Sequence, residues 1–304
     1  MIEGRIEVLL STYNGEAFLH QQLESILRQS GVDLTLTIRD DGSTDGTREL
    51  LRRQAARDPR VRVFTENNLG SAASFFALLG RADPEAQYFA FADQDDEWLP
   101  DKLARALAML GSRPRTVPLL YSSRVQYVDQ DGRPFGVSRP PRRVGFPWAL
   151  AENPLNGCTM VMNGSLRALL VERPPRVLRH HDWWSYVVAA VLGDVVHDPA
   201  VTVRYRQHGG NLIGASTTYV GTLLQRFRKV ERGRWTFYPR ELAEELLNSF
   251  GPRLPVEHTR VLQRLVASQV TLGARLAYAM APDVRRSRLL DDALFRLLIL
   301  AGRI

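Results

Sequence analysis

The chain has 304 residues, and 40 Lys+Arg against 33 Asp+Glu leave a net charge of +7. Hydrophobic residues at 44% and charged residues at 24% are globular proportions, which exclude a fibrous or disordered chain. Cys158 is the only cysteine, so an internal disulfide and a cysteine-built zinc site are excluded, and a reducing, cytoplasmic setting is expected.

From the N-terminus, short β-rich runs at Ile6–Leu10, Leu34–Arg39, Val61–Phe64, Tyr88–Ala92 and Leu119–Ser122 predict strands. Between them lie amphipathic helical patterns. One is Ala17–Gln29, with Phe18, Leu19, Leu23, Ile26 and Leu27 on one face; a second opens at Thr44-Asp45; a third follows Pro100 and carries Leu103, Leu107 and Leu110. This alternation predicts an α/β fold, a mostly parallel sheet flanked by helices. Asp129-Gln130-Asp131-Gly132 reads as a hairpin turn, Thr159–Met162 as a buried strand and Asp182–Leu192 as a helix. From about Thr217 the pattern is helical to the end, a C-terminal helical extension. The most apolar stretch, Tyr186–Val203, is broken by Asp194, His197, Asp198 and Pro199, so no membrane span is expected, nor does the N-terminus read as a signal peptide.

Ligands of parallel α/β sheets bind beyond the carboxyl ends of the strands. Three polar segments occupy such places. Ser11-Thr12-Tyr13-Asn14-Gly15 follows the first strand and suits a phosphate or nucleobase, or is simply a capped turn. In Asp40-Asp41-Gly42-Ser43-Thr44-Asp45, Gly42 and Asp45 read as turn and cap, and at least one of Asp40 and Asp41 as a ligand contact. Asp93-Gln94-Asp95-Asp96-Glu97 puts four carboxylates in five residues, which a hard divalent cation would relieve. A solvated acidic helix start is the alternative.

Together with Asn68-Leu69-Gly70 and the Asp-x-Asp motif Asp93-Gln94-Asp95, these segments resemble family 2 glycosyltransferases, which have the GT-A fold. Ala92-Asp93-Gln94-Asp95-Asp96-Glu97-Trp98, Gly157-Cys158-Thr159-Met160, His181-Asp182-Trp183-Trp184 and Tyr205-Arg206-Gln207-His208-Gly209-Gly210-Asn211 are most similar to bacterial rhamnosyltransferases. The resemblance spans roughly residues 5–215. It implies a GT-A domain over 1–215, with a nucleotide-sugar-binding part (1–120) and an acceptor-side part (121–215), followed by a helical extension over 216–304. It further implies donor contacts from Thr12, Tyr13, Asn14, Asp40, Asp41, Asn68 and Asp93, with a divalent cation, Mg or Mn, at Asp95 and His208. Asn156, Gly157, Trp183 and Trp184 would lie on the acceptor side, and Asp182 would be the catalytic base. On the residues alone, His208 in its polar loop reads equally as a backbone cap, and Asp182 as a helix cap with the tryptophans in the core.

A base is what the implied reaction needs, because an acceptor hydroxyl must lose its proton as it attacks the anomeric carbon. The implied partners are a dTDP- or UDP-sugar donor and a saccharide acceptor, free or lipid-linked, for a bacterial surface glycan. The rival is a non-catalytic nucleotide- or glycan-binding module of the same fold. Nucleic acid is not expected: residues 1–120 carry net −4 and residues 121–304 net +11, rather than a basic stripe interleaved with aromatics. In the tail, Arg226, Arg228, Lys229, Arg232 and Arg234 cluster near Phe227 and Trp235. Leu289, Leu290, Leu294, Leu297, Leu298 and Ile299 form a later apolar stripe. Basic residues beside apolar helices fit peripheral attachment at the inner face of the cell membrane, or homodimerisation.

Overall fold

The computed structural model describes residues 4–177, 179–209 and 238–304. The basic cluster Arg226–Arg234, the expected boundary at 215/216 and the Gly210-Asn211 end of the last motif lie outside the described residues. The elements run β1 (Arg5–Thr12), α1 (Leu19–Leu27), β2 (Asp33–Asp40), α2 (Thr47–Arg57), β3 (Val61–Thr65), α3 (Ser71–Arg81), β4 (Tyr88–Ala92), β5 (Glu97–Trp98) and α4 (Lys102–Gly111). They continue with β6 (Leu119–Val128), β7 (Pro134–Val137), α5 (Trp148–Ala151), β8 (Val161–Asn163), α6 (Gly164–Glu172), α7 (His181–Leu192) and β9 (Asp194–Arg206). The last four helices are α8 (Pro239–Phe250), α9 (Val256–Ala267), α10 (Leu272–Met280) and α11 (Leu289–Leu300).

One sheet has the order β3-β2-β1-β4-β8-β6-β9-β5, with β7 paired to β6. The first four strands in that order are parallel, as expected. Beyond β4 the sheet becomes mixed, because β8 runs antiparallel to both β4 and β6 while β9 lies parallel to β6. Strand alternation divides the core into two layers. Ile6, Val8 and Leu10 of β1 pack with α1 and α4, whereas Leu9 and Phe89 pack with α3, α6 and α7. Leu246, Phe250, Leu262 and Phe295 join that second layer, so the C-terminal helices share its core. Among the described residues no helix is long and apolar enough to cross a membrane.

One local expectation changes and one strand is new. Thr159–Met162 is not a continuous strand: Gly157–Thr159 is a 3-10 turn, and pairing starts at Val161. The Thr159 N–H donates to Asn156 O at 3.0 Å and the Met160 N–H to Gly157 O at 2.9 Å, so neither donor is available to a ladder. Asp194–Arg206, for which no strand is expected from the sequence, is a 13-residue strand, and its charges still break the apolar run that a membrane-spanning helix would need. A register shift opposite Ser123 and Arg124 absorbs the proline, as bulges do.

Candidate active site

The ends of β1 and β2 are stitched together. Asn14 takes a left-handed φ of 49°, and its N–H donates to Ser43 Oγ at 2.9 Å while its Oδ1 accepts from the Thr44 N–H at 2.8 Å. Asp45 accepts from the Thr47 and Glu16 N–H groups, the structural role expected of it. Gly42 has φ +86°, and a Cβ there would stand 3.1 Å from Asn68 N, so the turn requires glycine.

Asp40 and Asp41 are both buried. Asp40 accepts from the Ser43 N–H and pairs with Arg48 at 3.0 Å. Asp41 accepts from the Leu69 and Gly70 N–H groups at 2.8 and 2.9 Å and pairs with Arg39. Arg39, 1% exposed, also donates to Ser74 Oγ and Asn67 O and pairs with Glu66. Asp41 thus fixes the loop that presents the exposed Asn68. Arg39 had no role in the sequence reading; an arginine closing a buried strand beside two aspartates was the available signal.

At the end of β4 the side chains divide their tasks. Gln94 accepts from Thr12 Oγ1 at 2.7 Å and from the Tyr13 N–H at 2.8 Å, which joins the first and third polar segments. Thr12 is itself buried, whereas the Tyr13 ring is exposed. Asp95 Oδ2 lies 2.8 Å from His208 Nε2, so the structure joins the two residues expected to share a cation. Arg206 sets the end of β9 for that contact: its Nε donates to Asp95 O at 3.0 Å, its N–H to Asp96 Oδ1 and its Nη2 to Gln21. Gln94 and Arg206 lie within the polar motifs, but only these long-range contacts show what they do.

Asp93 is partly exposed, yet burial, followed by the charges of Asp95 and Asp182, raises its carboxyl from 3.8 to about 7. Beneath it, ligand atoms of Asp93, Asp96 and Cys158 lie within 4.8 Å of one another. Burial and the neighbouring Asp95 and Asp93 charges push Asp96 well up, and burial with Asp96 does the same for Cys158. Lys102 lies 3.7 Å over the Trp98 ring, and burial brings its ammonium down to about 7. Among the described residues Asp96 Oδ2 has no hydrogen-bond partner other than the Cys158 thiol. Crowded carboxylates with an imidazole at their outer edge form a hard O/N donor set that fits a divalent cation.

Asp182, in the first turn of α7, lies near enough for its charge to bear on Asp93. Its Oδ1 accepts from the Trp183 N–H at 2.8 Å and its Oδ2 from Asn153 Nδ2 at 3.0 Å. A Cβ on Gly157 would meet Asp182 Cβ at 3.1 Å, so the close approach that glycine permits is to Asp182. Asn156 O accepts from Thr159 and holds the turn below. The tryptophans are a correction to the acceptor-side expectation, since both are buried in the core. Trp183 Nε1 donates to Ala149 O at 2.7 Å, and the Trp184 ring stacks on Phe250. Their apolar surface is worth more inside than lining a wet cleft. His181, stacked on Phe75 at 3.9 Å, is held neutral by burial, which lowers it to about 4.

The model of "Glycosyl transferase family 2" matches residues 7–153, which contain all three polar strand ends. The chain is 30% identical over 225 residues to the dTDP-rhamnosyl transferase RfbG of Shigella flexneri, covering 69% of this chain and 75% of that protein. It is similar in structure to TarS 1–349 of S. aureus in complex with UDP-GlcNAc, with a TM-score of 0.56, 15% identity, and 98% and 91% of the two chains covered. It is also similar to the mannosyltransferase PcManGT of Pyrobaculum calidifontis in complex with GDP-Man and Mn2+, with a TM-score of 0.52, 18% identity, and 97% and 79% covered. The strand ends, the carboxylate cluster and these likenesses agree, and the chain belongs to the family 2 glycosyltransferases, with the GT-A fold.

Proposed function

We propose that this protein is a metal-dependent inverting glycosyltransferase. It moves a sugar, rhamnose first among the candidates, from a nucleoside diphosphate to a saccharide acceptor of a bacterial surface glycan. The observation that carries the reading is the placement of Asp182: it comes from a helix far along the chain, yet it lies against the Gly157 turn, is held by Asn153, and its charge bears on Asp93. That arrangement supports one carboxylate acting as a base across from an acidic donor site. The likeness to a dTDP-rhamnosyl transferase supports a dTDP-sugar, with UDP-sugars as the other donors to test.

In this mechanism Thr12, Tyr13, Asn14, Asp40, Asp41 and Asn68 form the nucleoside wall, with Asp40 and Asp41 acting through the loops they hold. Asp93 orients the ribose–diphosphate region. Asp95 and His208 would hold a divalent cation, Mg or Mn, which when bound would supply charge neutralisation for a diphosphate leaving group. Asp182 accepts the acceptor hydroxyl proton as its oxygen attacks the anomeric carbon from the side opposite the leaving group. The donated hydrogen bond from Asn153 keeps Asp182 Oδ2 in place. Asn156 and Gly157 form the acceptor floor, and Trp183 and Trp184 stiffen it from the core. The division into 1–120, 121–215 and 216–304 belongs to the same proposal, with the reaction at the cytoplasmic side of the membrane.

The test is nucleoside diphosphate release in a screen of dTDP- and UDP-sugars with Mn or Mg, with and without lipid-linked acceptors. Transfer with one donor that is lost in folded Asp182→Asn supports the reading. Full transfer by that variant removes Asp182 as base, and donor binding without turnover throughout favours the non-catalytic module.

A further inference from the structure

The hairpin of α10 and α11 presents an apolar surface that its own folding does not use. It packs inward through Tyr278, Ala279, Phe295 and Ile299. On α10, Leu272, Leu276 and Met280 recur every fourth residue and are 65%, 48% and 76% exposed. On α11, Leu289, Leu290 and Leu297 share one face and are 88%, 63% and 61% exposed. Single exposed apolar residues are ordinary, but two such stripes on one hairpin mark an interaction surface.

The charges select the occupant. Among described residues 268–304 the acidic side chains are Asp283, Asp291 and Asp292, and none is exposed. Asp292 accepts from the Arg286 N–H and pairs with Arg296, and Asp283 pairs with Arg264. Arg285 and Arg303 are exposed and flank α11 in sequence. A second copy packed hairpin to hairpin would set arginine against arginine with no exposed acidic side chain of the hairpin to meet them. Anionic phospholipid supplies phosphates for the guanidinium groups and an acyl boundary for the leucines.

We propose that the α10–α11 hairpin docks on an anionic bilayer surface through Leu272, Leu276, Met280, Leu289, Leu290 and Leu297, with Arg285 and Arg303 at the headgroups. The hairpin is fastened to the acceptor side of the molecule. Arg286 Nη1 donates to Ala151 O at 3.1 Å and the Ser287 N–H to Glu152 Oε1 at 3.1 Å, next to the Asn153 that holds Asp182. Docking there would bring lipid-linked substrates to the acceptor side; the surface itself is defined independently of the reaction.

The experiment is flotation of the full-length chain with phosphatidylcholine vesicles, with or without about one-third phosphatidylglycerol, at low and high salt. Binding is expected to the anionic vesicles and to fall with salt. Leu289→Ser with Leu297→Ser should weaken it by roughly tenfold per leucine. Arg285→Glu with Arg303→Glu should weaken it by at least about fivefold per arginine. Unchanged thermal melting and circular dichroism would confirm that these surface variants fold. Absence of binding to anionic vesicles, equal binding to phosphatidylcholine alone, or a wild-type dimer that the leucine variants dissociate would overturn the proposal.

Discussion

Replacing Asp93 by asparagine should stabilise the free protein while removing its activity. Burial and the charges of Asp95 and Asp182 raise the Asp93 carboxyl from 3.8 to about 7. At about 1.36 kcal/mol per pH unit, keeping it ionised in the fold costs at most roughly 4 kcal/mol at pH 8. The side chain is partly exposed, and solvent screening reduces that to about 2 kcal/mol. The sign follows from proton counts. Between pH 3.8 and about 7 the folded state holds the Asp93 proton that the unfolded state has lost, so stability falls as pH rises through that window and is flat above it. The neutral amide escapes this cost, so its advantage should be near zero at pH 4 and largest above pH 7. For a chain of this size about 2 kcal/mol raises the melting temperature by on the order of 4 °C. Melting curves in chelator at pH 5 and pH 8, repeated with saturating Mn2+, test it. Added cation should stabilise wild type by about 2.7 kcal/mol at one hundred times its Kd and narrow the gap between the two proteins, because it offsets the charge that the amide lacks. An equal or lower melting temperature for Asp93→Asn in chelator at pH 8, or a gain independent of pH, would refute the electrostatic account.

A cation held at Asp95 and His208 competes electrostatically with the proton on the neighbouring Asp93, so affinity for Mn2+, measured by calorimetry, should fall as pH drops below about 7 and level off above it. Gly157→Ala places a Cβ 3.1 Å from Asp182 Cβ, so kcat should fall at least about tenfold, with donor KM and melting temperature nearly unchanged. Donor KM rising while kcat holds would mean that Gly157 serves the donor side. Arg39→Met leaves Asp41 buried without its cation and should cost about 3–5 kcal/mol in chemical denaturation. A loss below about 1 kcal/mol would show that the Leu69 and Gly70 N–H groups suffice to hold Asp41.

Local pattern made much of this protein legible. Short β-rich runs mark β1, β2, β3 and β4 to within two residues at either end, and β1, β2 and β4, buried on both faces, read as near-continuous apolar segments. Their polar ends marked the donor-side loops. The tail from Pro239 read as helix because its apolar residues repeat every three to four positions. Strand β9 escaped because Pro199 and the charges around it break the pattern locally, and only a bulge against β6 reconciles them with a ladder.

By itself, then, the sequence determined the alternation of strands and helices, the carboxylates at strand ends and Asp182 as a residue needing a purpose. Tertiary structure decided which of these meet. The insertion of β8 between β4 and β6 puts the turn at Gly157 against Asp182, and the course of β9 delivers His208 to Asp95. It turned Trp183 and Trp184 into core, Arg39 into the clamp on Asp41 and Lys102 into a buried cation over Trp98. The physical reason is range. Periodicity and capping act within a few residues, whereas burial and charge–charge coupling depend on neighbours that only strand order brings together.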